Sequence, residues 1–121
     1  MLIRKLTDCP EIMAGDHTRL RELLHPNRSD LFEGRYSLAQ AVVDPGKSSR
    51  PHQLKSSEVY YVLAGEGEMH VDSDTALICS GDAVVIPAGS VQWVKSVGDS
   101  PLVFLCVVDP AWRPEDEDIL D

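Results

Sequence analysis

From residue 36 onward the chain is a succession of short apolar runs: YSLAQAVV (36–43), EVYYVLA (58–64), EMHVD (68–72), TALICS (75–80), DAVVIPA (82–88), VQWVKS (91–96) and PLVFLCVV (101–108). Each is closed by Gly, Pro, Asp or Ser. Runs of this length, rich in Val, Ile, Leu and Tyr, suit half-buried strands, and their close spacing fits an all-β sandwich or barrel. No helical segment of crossover length lies between them, so neighbouring strands are expected to be antiparallel. GEG at Gly65 to Gly67 and CSGDA at Cys79 to Ala83 supply tight turns, because glycine adopts positive φ without steric penalty. Upstream, DHTRLRELLHP (16–26) carries Leu20, Leu23 and Leu24 in a pattern that fits a short helix or an irregular strand, ended by Pro26.

A chain of 121 residues allows one domain with a single core. Eleven Lys and Arg stand against 20 Asp and Glu, a net charge of −9, which repels phosphate backbones and anionic membranes. Neither nucleic acid nor membrane is therefore an expected partner. The apolar runs are far below membrane-spanning length and no basic-then-apolar leader opens the sequence, so a cytoplasmic protein is expected. The acidic run PEDEDILD (114–121) reads as a solvated tail without activity. Cys9, Cys79 and Cys106 show no CxxC spacing, which favours reduced, mostly buried thiols, with Cys106 a small hydrophobe in a strand. There is no nucleophile elbow, no phosphate-cradling GxxxxGK and no GxGxxG between strand and helix.

Two blocks carry more specific information. In the first, Gly46 is followed by five residues, His52, one residue, Leu54, three residues, Glu58, six residues and Gly65. In the second, Gly81 is followed by five residues, Pro87, one residue, Gly89, two residues, Gln92, three residues and Ser96. Together and in this order they resemble the paired motifs of the cupin superfamily, with the short intervening gap of small single-domain members. The resemblance implies a double-stranded β-helix barrel, usually a dimer, with a metal or small ligand inside. On that reading residues 1–34 form an N-terminal arm packed on the barrel, 35–112 the barrel and 113–121 an acidic tail. The family pattern has two histidines and a glutamate in the first block and a histidine in the second. Here His52 and Glu58 match, while Leu54, Gln92 and Ser96 replace the second histidine, the last histidine and the motif's asparagine.

Strand alternation sets Glu58, Tyr60 and Val62 on one face and Gln92, Val94 and Ser96 in a second row. If both rows face inward, His52, Glu58 and Gln92 are candidate ligands for a divalent ion such as Mn, Fe, Ni or Zn. The alternative is a hydrogen-bonded polar pair in a barrel without metal. Glu58, His25 and Tyr60 are the candidate catalytic groups, as proton carriers and substrate donor. His17 falls in a polar turn, and His70 shares its strand with Met69 and Val71 on the less inward face. Tyr61 and Trp93 point outward and suggest a homodimer interface, and Trp112 is expected to clamp the tail. The functional expectation is a small cupin that binds a divalent metal and a small polar substrate, such as a sugar, sugar phosphate or organic acid, for isomerase- or lyase-type chemistry. Its alternative is a non-enzymatic, metal-free barrel for a small metabolite.

Overall fold

Buried and exposed side chains alternate along the apolar runs, and that alternation builds two facing sheets. The structure is a computed structural model that describes residues 1–28 and 32–121; residues 29–31 of the expected arm lie outside the described residues. The strands are β1 (Ile12–Met13), β2 (Arg19–Leu24), β3 (Ser37–Val43), β4 (His52–Leu54), β5 (Ser57–Ala64), β6 (Glu66–Val71), β7 (Asp74–Cys79), β8 (Ala83–Ile86), β9 (Val91–Ser96), β10 (Leu102–Asp109) and β11 (Glu117–Ile119). One sheet has the order β1-β2-β3-β10-β5-β8 and the other β11-β4-β9-β6-β7. Every pairing described is antiparallel, as the absence of crossover helices requires. The segment that fitted either a helix or a strand is strand β2, which joins the first sheet by pairing with β3.

The core lies between the sheets. Val62, Phe104, Leu102 and Ala41 from the first sheet meet Val94 and Met69 from the second, and all are buried. Burying such side chains contributes roughly 1.5–3 kcal/mol each for the larger ones. Tyr60 lies against Phe104 with ring centroids 4.3 Å apart. Both expected inward rows are found: Glu58, Tyr60 and Val62 are buried on β5, and Gln92, Val94 and Ser96 on β9. Cys9 and Cys106 are buried and Cys79 is exposed.

The outward aromatics divide between the two sheets. Tyr61 stands on the outer face of the first sheet opposite Leu105. Trp93, on the second, stacks on His70 with centroids 3.7 Å apart and an interplanar angle of 5°. They cannot form one patch, because alternation places them outward on opposite sides of the sandwich.

Two glycine turns differ in what surrounds them. Gly65 has φ +82°, and a Cβ there would press on the carbonyl of Pro101 and lie 2.8 Å from Leu102 Cα. Gly46 has φ +77° with open space around it. Alanine at Gly46 meets only the left-handed backbone penalty, about 1 kcal/mol. At Gly65 the backbone clash adds to that penalty, for a loss of about 3 kcal/mol or more. Denaturant titration of Gly65→Ala and Gly46→Ala is expected to give this order; equal losses would remove the steric argument.

Candidate functional site

Strand β4 carries His52 and Leu54 inward on either side of a half-buried Gln53, and His52 is paired in register with Gln92 of β9. Across the sandwich Glu58 and Tyr60 project from β5. These inward residues close the end of a cavity of about 510 Å³ whose walls include Leu20, Ala41, Leu54, Phe104, Val108 and Trp112. His52, Glu58 and Tyr60 thus line one space, whereas Gln92, expected to converge with His52 and Glu58, is not among the residues that line it.

The polar groups form a directed chain. Tyr60 donates its hydroxyl to Gln92 Oε1 at 2.7 Å, and Gln92 Nε2 donates to Glu58 Oε1 at 2.9 Å. Glu58 is only 6% exposed. Burial pushes its carboxyl from the ordinary 4.5 up to about 8; the Gln92 hydrogen bond opposes this rise, and the like charges of Asp16 and Glu117 add to it. Burial also lifts the Tyr60 hydroxyl and the Cys106 thiol well above their ordinary values, with the neighbouring Glu58 charge adding to both. At neutral pH Glu58 is thus mainly the protonated acid.

His52, 1% exposed, donates Nδ1–H to the Arg50 carbonyl at 2.7 Å, since a carbonyl can only accept. Its Nε2 lies beside Asp16 Oδ2 at 3.6 Å. Asp16 was not anticipated. It sits in the turn between β1 and β2, where its Oδ1 accepts from the Thr18 amide (3.1 Å) and hydroxyl (2.8 Å), an Asx-type turn. The Arg50 amide ties the Asp16 carbonyl to the barrel at 2.7 Å. The local signal was an Asp two residues before a Thr.

Glu117 was also missed, because the acidic run that contains it reads as solvated. Instead β11 pairs with β4, with Glu117 opposite Leu54 and Ile119 opposite His52. Glu117 therefore lines the cavity and accepts from Trp112 Nε1 at 3.3 Å. Its carboxyl is raised by burial and then by Asp16, against the lowering influence of His52 and Trp112. The Trp112 amide donates to Ser37 Oγ at 3.0 Å, so this residue fastens the tail as expected. The sequence carries no local signal for this, since Glu117 stands within a run of acids and its place is set by the pairing with β4.

His25 lies elsewhere. Its Nε2 donates to the Trp112 carbonyl at 2.7 Å and its Nδ1 accepts from the Asn27 amide at 3.1 Å, so both ring nitrogens are engaged. It borders a separate cleft with Lys55 and Arg113. His17 occupies a turn with φ +70°, and His70 contacts Glu68 and Thr75 outside the barrel.

The three expected metal ligands do not present a common set of lone pairs. Gln92 Oε1 is taken by Tyr60, and its amide N–H₂, a donor, faces Glu58. His52 turns its free nitrogen towards Asp16, and Leu54 is apolar. Among the described residues no group of three or more His, Cys, Asp or Glu is gathered for a metal ion. As arranged, His52, Glu58 and Gln92 do not fit one.

A model of the cupin domain matches residues 39–108, more than half of the chain, and the protein belongs to the cupin family. An uncharacterized protein of Methanocaldococcus jannaschii is 36% identical over 108 residues, covering 88% of this chain and 84% of that one. The oxalate-binding protein of Thermotoga maritima is 30% identical over 93 residues, covering 76% and 71%. In fold, the polyketide cyclase RemF of Streptomyces resistomycificus superposes with a TM-score of 0.81 at 22% identity, covering 100% of this chain and 86% of that one.

The raised Glu58 carboxyl has a stability consequence. Between about 4.5 and about 8 the folded protein keeps a proton that the unfolded chain releases. Stability therefore falls as pH rises through that window and levels off above it. Glu58→Gln removes the titration while leaving an acceptor for Gln92. Urea denaturation is expected to show the variant gaining on the wild type by up to about 4 kcal/mol between about pH 5 and pH 8.5. A pH-independent difference would mean that Glu58 ionises near its ordinary value.

Proposed function

We propose that this cupin is a binding barrel for a small organic molecule, held in the cavity by its polar floor without a metal. The observation that supports this most directly is the cavity itself. At about 510 Å³, with apolar walls and few polar groups, it has the size and character of a small-molecule site. The chain of hydrogen bonds from Tyr60 through Gln92 to Glu58 satisfies the floor internally and holds Glu58 where a ligand acceptor can meet its proton. Proton transfer from Glu58 is the chemistry this floor would offer if the bound molecule reacts. A sugar phosphate or an organic acid suits the cavity less well, since its anion would face the carboxylates of Asp16 and Glu117. Oxalate, which names the Thermotoga relative, is the sharpest probe of that point.

Protein purified without an affinity tag or chelator is expected to contain no stoichiometric Mn, Fe, Ni or Zn, and its uptake of small organic ligands by calorimetry to survive dialysis against chelator. One metal per chain, lost together with ligand binding on chelation, would restore the reading in which His52, Glu58 and Gln92 hold a divalent ion.

We also propose a homodimer through the outer face of the first sheet. Leu38, Val107, Val59 and Val85 stand in register across β3, β10, β5 and β8, with Val85 71% exposed. Chains of net charge −9 repel one another, so self-association requires an uncharged face such as this row. Sedimentation is expected to give a dimer at micromolar concentration and a monomer for Val107→Lys combined with Val85→Lys. A monomeric wild type would overturn the interface.

A further inference from the structure

Three acceptor atoms of the cavity lining, His52 Nε2, Asp16 Oδ2 and Glu117 Oε1, have no hydrogen-bond donor among the described residues. With Nδ1–H given to Arg50, Nε2 is the ring atom of His52 left to meet a partner in the cavity. That nitrogen has no hydrogen bond among the described residues although its ring is 1% exposed; it faces Asp16 Oδ2 at 3.6 Å. Glu117 engages Trp112 through Oε2 alone, and its Oε1 reaches back towards the turn at Gly15. Of the residues that line the cavity, four are acids, Asp16, Glu22, Glu58 and Glu117, while the one guanidinium, Arg28, is paired with Glu22 at 3.4 Å. The lone pairs of His52, Asp16 and Glu117 are thus brought together while the one lining cation is engaged with Glu22, an arrangement that is costly until a cation reaches them.

We infer that the ligand of this cavity is a protonated primary amine with an apolar body, its ammonium group held by Asp16, Glu117 and His52 and its body against Trp112 and Phe104. An ammonium carries three N–H donors and no acceptor, which matches His52 Nε2, Asp16 Oδ2 and Glu117 Oε1. Charge-assisted hydrogen bonds of this kind are about twice as strong as neutral ones. The aromatic walls add attraction for a cation, and the apolar volume, which a bare metal ion would leave unfilled, accepts the body. The inference rests on the reading of the cavity as the ligand site and specifies what that site selects.

Three probes of one shape test it: 2-phenylethylamine, 2-phenylethanol and 3-phenylpropionate, titrated at neutral pH. Binding is read from the fluorescence of Trp112 in a Trp93→Phe background and by calorimetry. The amine is expected to bind roughly tenfold or more tightly than the alcohol, and the carboxylate not measurably. In Asp16→Asn with Glu117→Gln the amine and alcohol should bind within about twofold of each other, while the alcohol keeps its affinity. If the double variant does not fold, either single variant should show a loss of amine preference of roughly threefold or more. Equal binding of amine and alcohol by the wild type, or preference for the carboxylate, would overturn the inference while leaving the cavity a ligand site. Zn²⁺ alone binding at one per chain, and lost in the same variants, would overturn it in favour of a metal. If none of the three organic probes binds, the cavity reading fails as well.

Discussion

Strand β10 is hydrogen-bonded along both edges, to β3 on one side and β5 on the other, and its pleat decides which side chains enter the barrel. Leu102, Phe104, Cys106 and Val108 point inward and are buried, so their register partners on β5 must point inward too. That places Tyr60 opposite Cys106 and Glu58 opposite Val108. A slip of one residue would send Tyr61 and Val59 inside and expel the acid and the hydroxyl. Exchange of this mixed row for the more apolar one is opposed by the packing of Phe104 against Tyr60, and the position of the polar floor follows from that packing.

The floor is polar in a manner that the barrel can tolerate. Gln92 is the right residue for its place because an amide can accept and donate at once, and it uses both ends, towards Tyr60 and towards Glu58. An imidazole there would have two nitrogens in a different geometry and a titration of its own. The same amide that completes the hydrogen-bond chain withdraws the acceptor oxygen from any ion, so satisfying the buried Glu58 and serving as a metal ligand are competing roles for this side chain.

Much of this could be read from the residues alone, because strand alternation is local. The rows Glu58, Tyr60, Val62 and Gln92, Val94, Ser96 follow from a period of two once the strands are recognised, and the Gly65 and Gly81 turns follow from conformational freedom. Asp16 and Glu117 could not be placed in this way. Their positions depend on pairings between distant segments, β11 with β4 and the Asp16 carbonyl with the Arg50 amide, and acidic residues in a charged run normally remain in water. Which end of the Gln92 amide meets Glu58 is likewise a property of the assembled barrel. Alternation gives Tyr61 and Trp93 an outward direction, yet direction does not say on which of two sheets a residue lies.

Asp16 comes from the turn before β2 and Glu117 from β11, about a hundred positions apart in the sequence, and they meet over His52. The charged cluster cannot exist until β11 has paired with β4 and the turn before β2 has docked on Arg50. Closure of so long a loop carries a large entropic cost that is recovered late. The constellation is therefore assembled by long-range pairings at the two edges of the sandwich, and its geometry reports on whether both edge segments are docked.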